Sequence, residues 1–128
     1  GVSILKLHRA SLDENNKWTI SDEDKKVMEY FNLENYSIGS PALSPDDKRL
    51  YFVSCAPFPE AQGQTDIYYS DITDAGFGPI VNLGEKVNSP GREMFPFISK
   101  DNILYFSSDS ANSTMSCSSV FFVSFIFF

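Results

Sequence analysis

One stretch decides the fold of this chain: SPALSPDDKRLYFVS, residues 40–54, which occurs again as FPFISKDNILYFSS, residues 95–108. The matched positions are Pro41 with Pro96, Ser44 with Ser99 and Asp46 with Asp101, each 55 residues apart. In the first copy, Ser-Pro-Asp-Asp-Lys predicts a tight turn, because proline presets φ and aspartate bonds back to nearby amides. The Leu-Tyr-Phe run after each turn is aromatic and apolar, as β-strands prefer. The repeat therefore predicts two equivalent strand–turn–strand hairpins.

A second element repeats outside these hairpins. Residues 7–12 align with residues 67–72, and Trp18 then falls opposite Phe77. Four short strands per unit, at a period of roughly 50 residues, are typical of a β-propeller blade. We therefore predict an all-β fold over residues 1–112, with about two four-stranded antiparallel blades in an incomplete ring. The first unit covers about 1–55 and the second about 56–112. A β-sandwich is the alternative, but sandwiches do not repeat their turns so faithfully.

Two segments do not fit the repeat. Residues 21–35 are an insertion, which the repeat alignment predicts to be a loop and an edge strand; a short helix capped by Ser21 is the alternative. Residues 113–128 are rich in serine and then in phenylalanine, where the repeat calls for a loop and a third strand. We interpret this tail as aberrant, with the reading frame lost near Asn112, and the chain as a fragment of a longer protein. The alternative is a genuine hydrophobic strand that docks on a partner.

Composition argues against several functions. The formal net charge of -7 leaves no basic surface for a nucleic-acid backbone. His8 is the only histidine, and Cys55 and Cys117 match no zinc or redox spacing, so we predict no catalytic site, no metal and no cofactor. No stretch reaches the roughly 18 apolar residues that a membrane helix needs, so we predict no direct membrane span.

Aromatic side chains are the remaining candidates for function. Most of them recur at matched strand positions, where packing between neighbouring blades is the simplest role. Three fall in or near loops and are the candidate partner contacts: Tyr36, Phe58 and Phe77.

The motifs together resemble a known family. The first hairpin, then Thr-Asp-Ile-Tyr-Tyr, Pro-Ile-Val-Asn-Leu-Gly, Glu-Met-Phe-Pro-Phe-Ile-Ser and Leu-Tyr-Phe-Ser-Ser-Asp, are similar to the TolB-like, WD-repeat-like propeller repeats of OmpA-family envelope proteins in Bacteroidetes. The resemblance covers roughly residues 4–112. Family repeats usually carry glycine where Asp47 and Asn102 stand. Because Asp and Asn adopt left-handed φ most readily after glycine, we expect that conformation at both positions.

The resemblance implies a function as well as a fold. It implies a non-catalytic scaffold or binding module at the periplasm or outer membrane, which contacts an envelope protein or the cell wall through propeller loops. Some family members belong to type IX secretion machinery. The alternative is an enzyme-associated role, as the substrate-gating propeller of a prolyl-oligopeptidase-like serine peptidase.

Overall fold

Short antiparallel strands dominate the computed structural model of this protein, which describes residues 4–109. The elements are β1 (Ser11–Leu12), β2 (Trp18–Thr19), α1 (Asp22–Met28), β3 (Ile38–Leu43), β4 (Arg49–Ser54), β5 (Asp66–Thr73), β6 (Gly76–Phe77), β7 (Val81–Asn82), β8 (Glu93–Ile98) and β9 (Leu104–Ser108). No helix among residues 4–109 is long and apolar enough to cross a membrane. The predicted tail at 113–128 lies outside the described residues.

The strands form one larger sheet between two hairpins. The larger sheet, called the middle sheet below, has the order β3-β4-β5-β6, with β7 pairing with β5 as well. The hairpin β1–β2 precedes this sheet along the chain, and the hairpin β8–β9 follows it. Every strand pair in these sheets is antiparallel, which confirms the predicted antiparallel β class. The middle sheet takes β3 and β4 from the first sequence unit and β5 to β7 from the second.

Both faces of the middle sheet are covered. Leu50 and Phe52 of β4 are buried on one face, while Val53 of β4 and Ile67 of β5 pair with each other on the other face and are also buried. Side chains alternate between the faces of a strand, so a strand that is buried on both sides can carry apolar residues at adjacent positions. This explains why β4 has a continuous apolar run and not an alternating pattern.

The repeat is reproduced in the backbone. Asp47 and Asn102 have φ values of 60° and 61°, which confirms the left-handed conformation expected at both turns. Both hairpins also contain a bulge, and in each the residue before the matched proline has positive φ: 50° at Ser40 and 56° at Phe95. Residues before proline ordinarily adopt extended conformations. The same unusual geometry at both places shows that the two hairpins are structurally equivalent.

The prediction of a loop and an edge strand for the insertion 21–35 is wrong, because this segment contains α1. Ser21 caps the helix: its hydroxyl accepts a hydrogen bond from the backbone N–H of Asp24, whose carboxylate accepts one in return from the N–H of Ser21. This reciprocal capping box satisfies helix-end donors that would otherwise lack partners. The repeat alignment predicted no helix here, and the matching part of the second unit, between β7 and β8, indeed contains none.

The core lies between α1 and the middle sheet. Phe31, just after the helix, is 1% exposed and makes edge-on contacts with Phe52 and Phe77, with ring centroids 5.2 and 4.8 Å apart. Edge-on aromatic pairs of this kind contribute about 0.5–1.5 kcal/mol each beyond their buried area. The inserted segment therefore packs on one face of the sheet through Met28, at the end of the helix, and Phe31 just after it. The buried members of this cluster are Leu7, Met28, Phe31, Ile38, Leu50, Phe52, Ala56, Phe58 and Tyr68.

Candidate functional site: a buried polar junction and the loops around it

Three loops meet at one end of the middle sheet. They are residues 32–37 before β3, residues 55–65 between β4 and β5, and residues 83–92 before β8. Antiparallel pairing places the start of β3, the end of β4 and the start of β5 at this same end. A bridge from Thr65 to Arg92 brings the start of β8 beside them. We call this region the loop end of the molecule.

Beneath these loops lies a group of buried polar side chains, Asp66, Asn82, Asn88 and Glu93, which we call the polar junction. Asn88 is its centre: its side-chain amide accepts from the backbone N–H of Ile67 at 2.8 Å and donates to the carbonyl of Ile67 at 2.9 Å. It also donates to the side-chain oxygen of Asn82 at 2.9 Å. One side chain thereby fixes the loop before β8 to the buried start of strand β5.

The same asparagine clamp occurs a second time. The side chain of Asn32 accepts from the backbone N–H of Leu7 at 2.9 Å and donates to its carbonyl at 2.8 Å. Leu7 is the position that aligns with Ile67 in the repeat, and both are buried. Sequence reasoning missed both asparagines. The available signal was an asparagine ahead of the first hairpin strand in each unit, 25 residues after Leu7 and 21 after Ile67.

Asp66 is held by the loops on one side of its carboxylate. One carboxylate oxygen accepts from the side-chain amide of Asn82 at 3.1 Å and from the backbone N–H of Gln62. The other oxygen is buried and has no hydrogen-bond partner among residues 4–109. A buried acceptor without a partner costs about 1–3 kcal/mol. The junction is thus almost, but not fully, satisfied.

Tyr68 is the second incompletely satisfied group. Its ring is completely buried and stacks on Phe52, but its hydroxyl makes no hydrogen bond of good geometry among the described residues. Burial, and next the negative charge of Asp66, raise the pKa of Tyr68 to about 12. The phenol therefore stays neutral far above the pH at which a free tyrosine ionises.

Glu93 links the middle sheet to the following hairpin. It is completely buried, and its carboxylate accepts from the backbone N–H and hydroxyl of Ser89 at 2.8 and 2.7 Å and from the hydroxyl of Ser108. Its backbone N–H donates to the carbonyl of Thr65 at 3.1 Å. Ile38 stands at the matched position of the first hairpin and donates in the same way to the carbonyl of Leu5 at 3.0 Å. The same backbone hydrogen bond therefore occurs at the matched position of both hairpins.

Gly63 marks the closest approach of two loops. A Cβ at this position would lie 2.5 Å from the carbonyl oxygen of Gly91 and 2.7 Å from the carbonyl carbon of Pro90, and closer still to the carbonyl oxygen of Ser89. Real Cβ atoms essentially never come within 3.0 Å of such atoms. Only glycine lets loop 55–65 and loop 83–92 touch in this way.

The three candidate partner contacts lie in different surroundings. Tyr36 is 38% exposed in loop 32–37 at the loop end. Phe58 belongs to a loop at the same end, but its ring turns inward onto Phe52 and Tyr68 and is only 9% exposed. Phe77 lies in β6, away from the other two, and packs against Phe31. For Phe58 the expectation of a surface position is wrong, because its loop folds back over the core; Phe77 is half-buried.

The strand aromatics divide by position in the molecule. Phe52 and Tyr68 of the middle sheet are fully buried. Matched aromatic residues near the two ends of the described chain are more exposed. Phe106, which matches Phe52, is 37% exposed, and Trp18, which matches the half-buried Phe77, is 72% exposed. The described part of the chain therefore has an open apolar face at each end. The exposed apolar residues there include Leu5, Leu12, Trp18, Phe97, Ile103, Tyr105 and Phe106.

A shallow cleft of about 430 Å³ lies at the opposite end of the middle sheet, beside the β3–β4 turn. Of its two cationic lining residues, Lys48 and Arg49, the arginine is already engaged: it pairs with Asp71 at 2.7 Å, and its guanidinium lies 3.8 Å over the ring of Tyr69. The hydrogen bond that Arg49 donates to the carboxylate of Asp71 raises the pKa of Arg49 further above its usual range. Among residues 4–109, no group of three or more His, Cys, Asp or Glu side chains is arranged to hold a metal ion.

The fold and the site together define a mostly antiparallel β protein in which two buried backbone positions, Leu7 and Ile67, are each clamped by an asparagine side chain. Comparison of this chain with protein-family models, with curated proteins and with solved structures finds no match.

Proposed function

We propose that this chain is part of a β-propeller that serves as a non-catalytic scaffold and binding module of a bacterial cell envelope. The observation that carries the proposal is a pair of contacts that occurs twice, at matched positions of the sequence. Each occurrence has an asparagine clamp, on Leu7 or Ile67, and a backbone hydrogen bond into the next hairpin. Radial repetition of four-stranded sheets needs such a junction at every step.

The middle sheet supports the propeller architecture in a second way. Four of its five strands, β3 to β6, are paired in chain order, as in a meander, and both faces of the sheet are covered by neighbouring structure. A blade in the interior of a ring has this environment, since it contacts one neighbour on each side. The exposed apolar residues at the two ends are consistent with further blades at those positions.

The binding surface in this proposal is the loop end. Buried hydrogen bonds hold loops 55–65 and 83–92 in place, and loops held by a rigid scaffold are a common location for recognition. Tyr36 is the exposed aromatic residue of this surface among the three candidate contacts. The envelope location, and an envelope protein or the cell wall as partner, come from the family resemblance.

Photocrosslinking tests this proposal. Benzoylphenylalanine replaces Tyr36, or, as the control, Leu43, which is 49% exposed at the opposite end of β3. Each variant is incubated with purified envelope proteins and with peptidoglycan. We expect adducts from position 36 and none from position 43. Equal labelling from both positions, or none from either, contradicts binding through the loop end. An adduct with a hydrolase that reacts with serine-directed fluorophosphonates assigns the chain to the peptidase-gating class instead.

A further inference from the structure

Each end of the described chain has a segment that lacks a neighbouring strand. At one end, β9 pairs with β8 and with no other strand among residues 4–109. At the other end, residues 6–10 belong to no sheet, although the backbone of Leu7 is held by the side chain of Asn32. Sheet edges with unpaired N–H and C=O groups are templates for pairing with another chain.

The middle sheet shows how these two edges fit together. The repeat matches β9 to β4, with an offset of 54 residues, and residues 7–12 to the first part of β5, with an offset of 60. In the middle sheet, β4 and β5 pair directly, with Leu50 opposite Ser70 and Phe52 opposite Tyr68. The same register applied to the open edges places Leu104 opposite Ala10 and Phe106 opposite His8.

The apolar faces beside these edges agree with this fit. Phe106 and Tyr105 of β9 are 37% and 56% exposed, whereas Phe52, the counterpart of Phe106, is completely buried by the strand and the core beside it. At the other edge, Leu12 and Trp18 are 50% and 72% exposed. Joining the edges covers both apolar faces at once. This burial stabilises the contact by about 25 cal/mol per Å² of apolar surface removed from water.

We propose that this chain associates head to tail with a second copy of itself, through antiparallel pairing of β9 in one copy with residues 7–12 of the next. The proposal rests on the propeller-repeat geometry given above. The contact is heterologous, so successive copies form a closed ring if the rotation closes.

Disulfide trapping tests the predicted register. Cys55 and Cys117 are first replaced by serine, and one chain then carries Ala10→Cys while a second, with a longer tag, carries Leu104→Cys. Directly opposite residues of antiparallel strands have Cα atoms about 4.5–5.5 Å apart, within disulfide reach. We expect a mixed dimer on a non-reducing gel. The matched control is Ser107→Cys in place of Leu104→Cys, which is three residues out of register, about 10 Å along the strand. With that control the mixed dimer is expected to be lost.

Light scattering gives the mass of the unmodified chain. We expect a concentration-dependent mass that is a multiple of 14.4 kDa, and a return to the monomer when Tyr105→Glu places a charge on the open face. A monomer at every concentration, with slow hydrogen exchange in β4 and β5, overturns self-association and leaves the repeat geometry intact. A mixed dimer of equal yield in both registers contradicts the repeat geometry itself, and with it the proposed propeller.

Discussion

Replacing Gly63 by alanine tests whether the contact between loops 55–65 and 83–92 holds the sheets together. The new Cβ would lie 2.5 Å from the carbonyl oxygen of Gly91. All three of the nearest atoms belong to the backbone, so no side-chain rotation relieves the clash, and one loop has to move by roughly 1 Å. Overpacking of this kind costs about 1–3 kcal/mol. The displacement also weakens the hydrogen bond from the N–H of Gln64 to the carbonyl of Gly91, now 2.9 Å long, which is worth about 0.5–1.5 kcal/mol.

One effect opposes this loss. Alanine restricts the unfolded chain and stabilises the folded state by about 0.4–1 kcal/mol where the native conformation accepts it. The net expectation for Gly63→Ala is a loss of about 2–3 kcal/mol in the free energy of unfolding. For a domain of this size, that lowers the melting temperature by roughly 7–11 °C.

Gly39→Ala is the matched control. A Cβ at Gly39 would meet only the side chain of Leu5, at an ordinary 3.9 Å, so this variant should be neutral or slightly stabilised. The assay is urea unfolding followed by far-ultraviolet circular dichroism. Trp18 is a poor fluorescence probe because it is 72% exposed in the folded state. Equal midpoints for Gly63→Ala and Gly39→Ala would refute the reasoning, since they would show that the loops separate at no cost.

Four further outcomes follow from single side chains. Asn88→Ala removes the partner of the buried Ile67 N–H and should lower the free energy of unfolding by about 2–3 kcal/mol in urea. Hydrogen bonds from Ser21 and then Arg9 hold the pKa of the Asp24 carboxyl well below its usual range. The charged carboxylate therefore stabilises the folded state above about pH 4, and this stabilisation is lost as the pH falls further. Asp24→Asn should remove this loss, so that the free energy of unfolding falls less steeply with acid. The pKa of Tyr68 is raised to about 12, so its contribution to the free energy of unfolding is complete below about pH 10 and is lost as the pH rises from there to 12. Tyr68→Phe should remove that alkaline loss of stability. Absorbance at 295 nm should then show one late-titrating tyrosine fewer. Asn102→Ala should cost about 1 kcal/mol because φ there is 61°, whereas Asn102→Gly should be nearly neutral in thermal unfolding.

Parts of the fold could be predicted because they depend on a few adjacent residues. The turn at Asp47 and its copy at Asn102 need left-handed φ, and that demand is visible in the residue types themselves. The alignment of Trp18 with Phe77 was also confirmed. In their hairpins, Trp18 lies opposite Leu12 and Phe77 lies opposite Ile72, which is the pair that the alignment matches to Leu12.

Other parts depended on contacts between distant segments. The helix capped by Ser21 was only the alternative prediction for residues 21–35, because the repeat alignment carries no information on the packing of this segment beside Phe52 and Phe77. The burial of Phe58 was missed for a related reason. A phenylalanine in a loop rich in proline has the same local pattern whether the loop turns outward or folds over the core.

The sequence by itself determined the repeat, the antiparallel strands and the positions of the turns, because strand and turn preferences act over two to six neighbouring residues. Only the tertiary structure decided which strands share a sheet. The middle sheet joins β4 of one sequence unit to β5 of the next across an eleven-residue loop. The tertiary structure also decided that Asn32 and Asn88 clamp the backbone. An asparagine can do so only when a backbone segment, here 25 or 21 residues away, lies within hydrogen-bond distance. Burial makes that pairing obligatory, since an unpaired amide inside the protein costs more than the bond contributes.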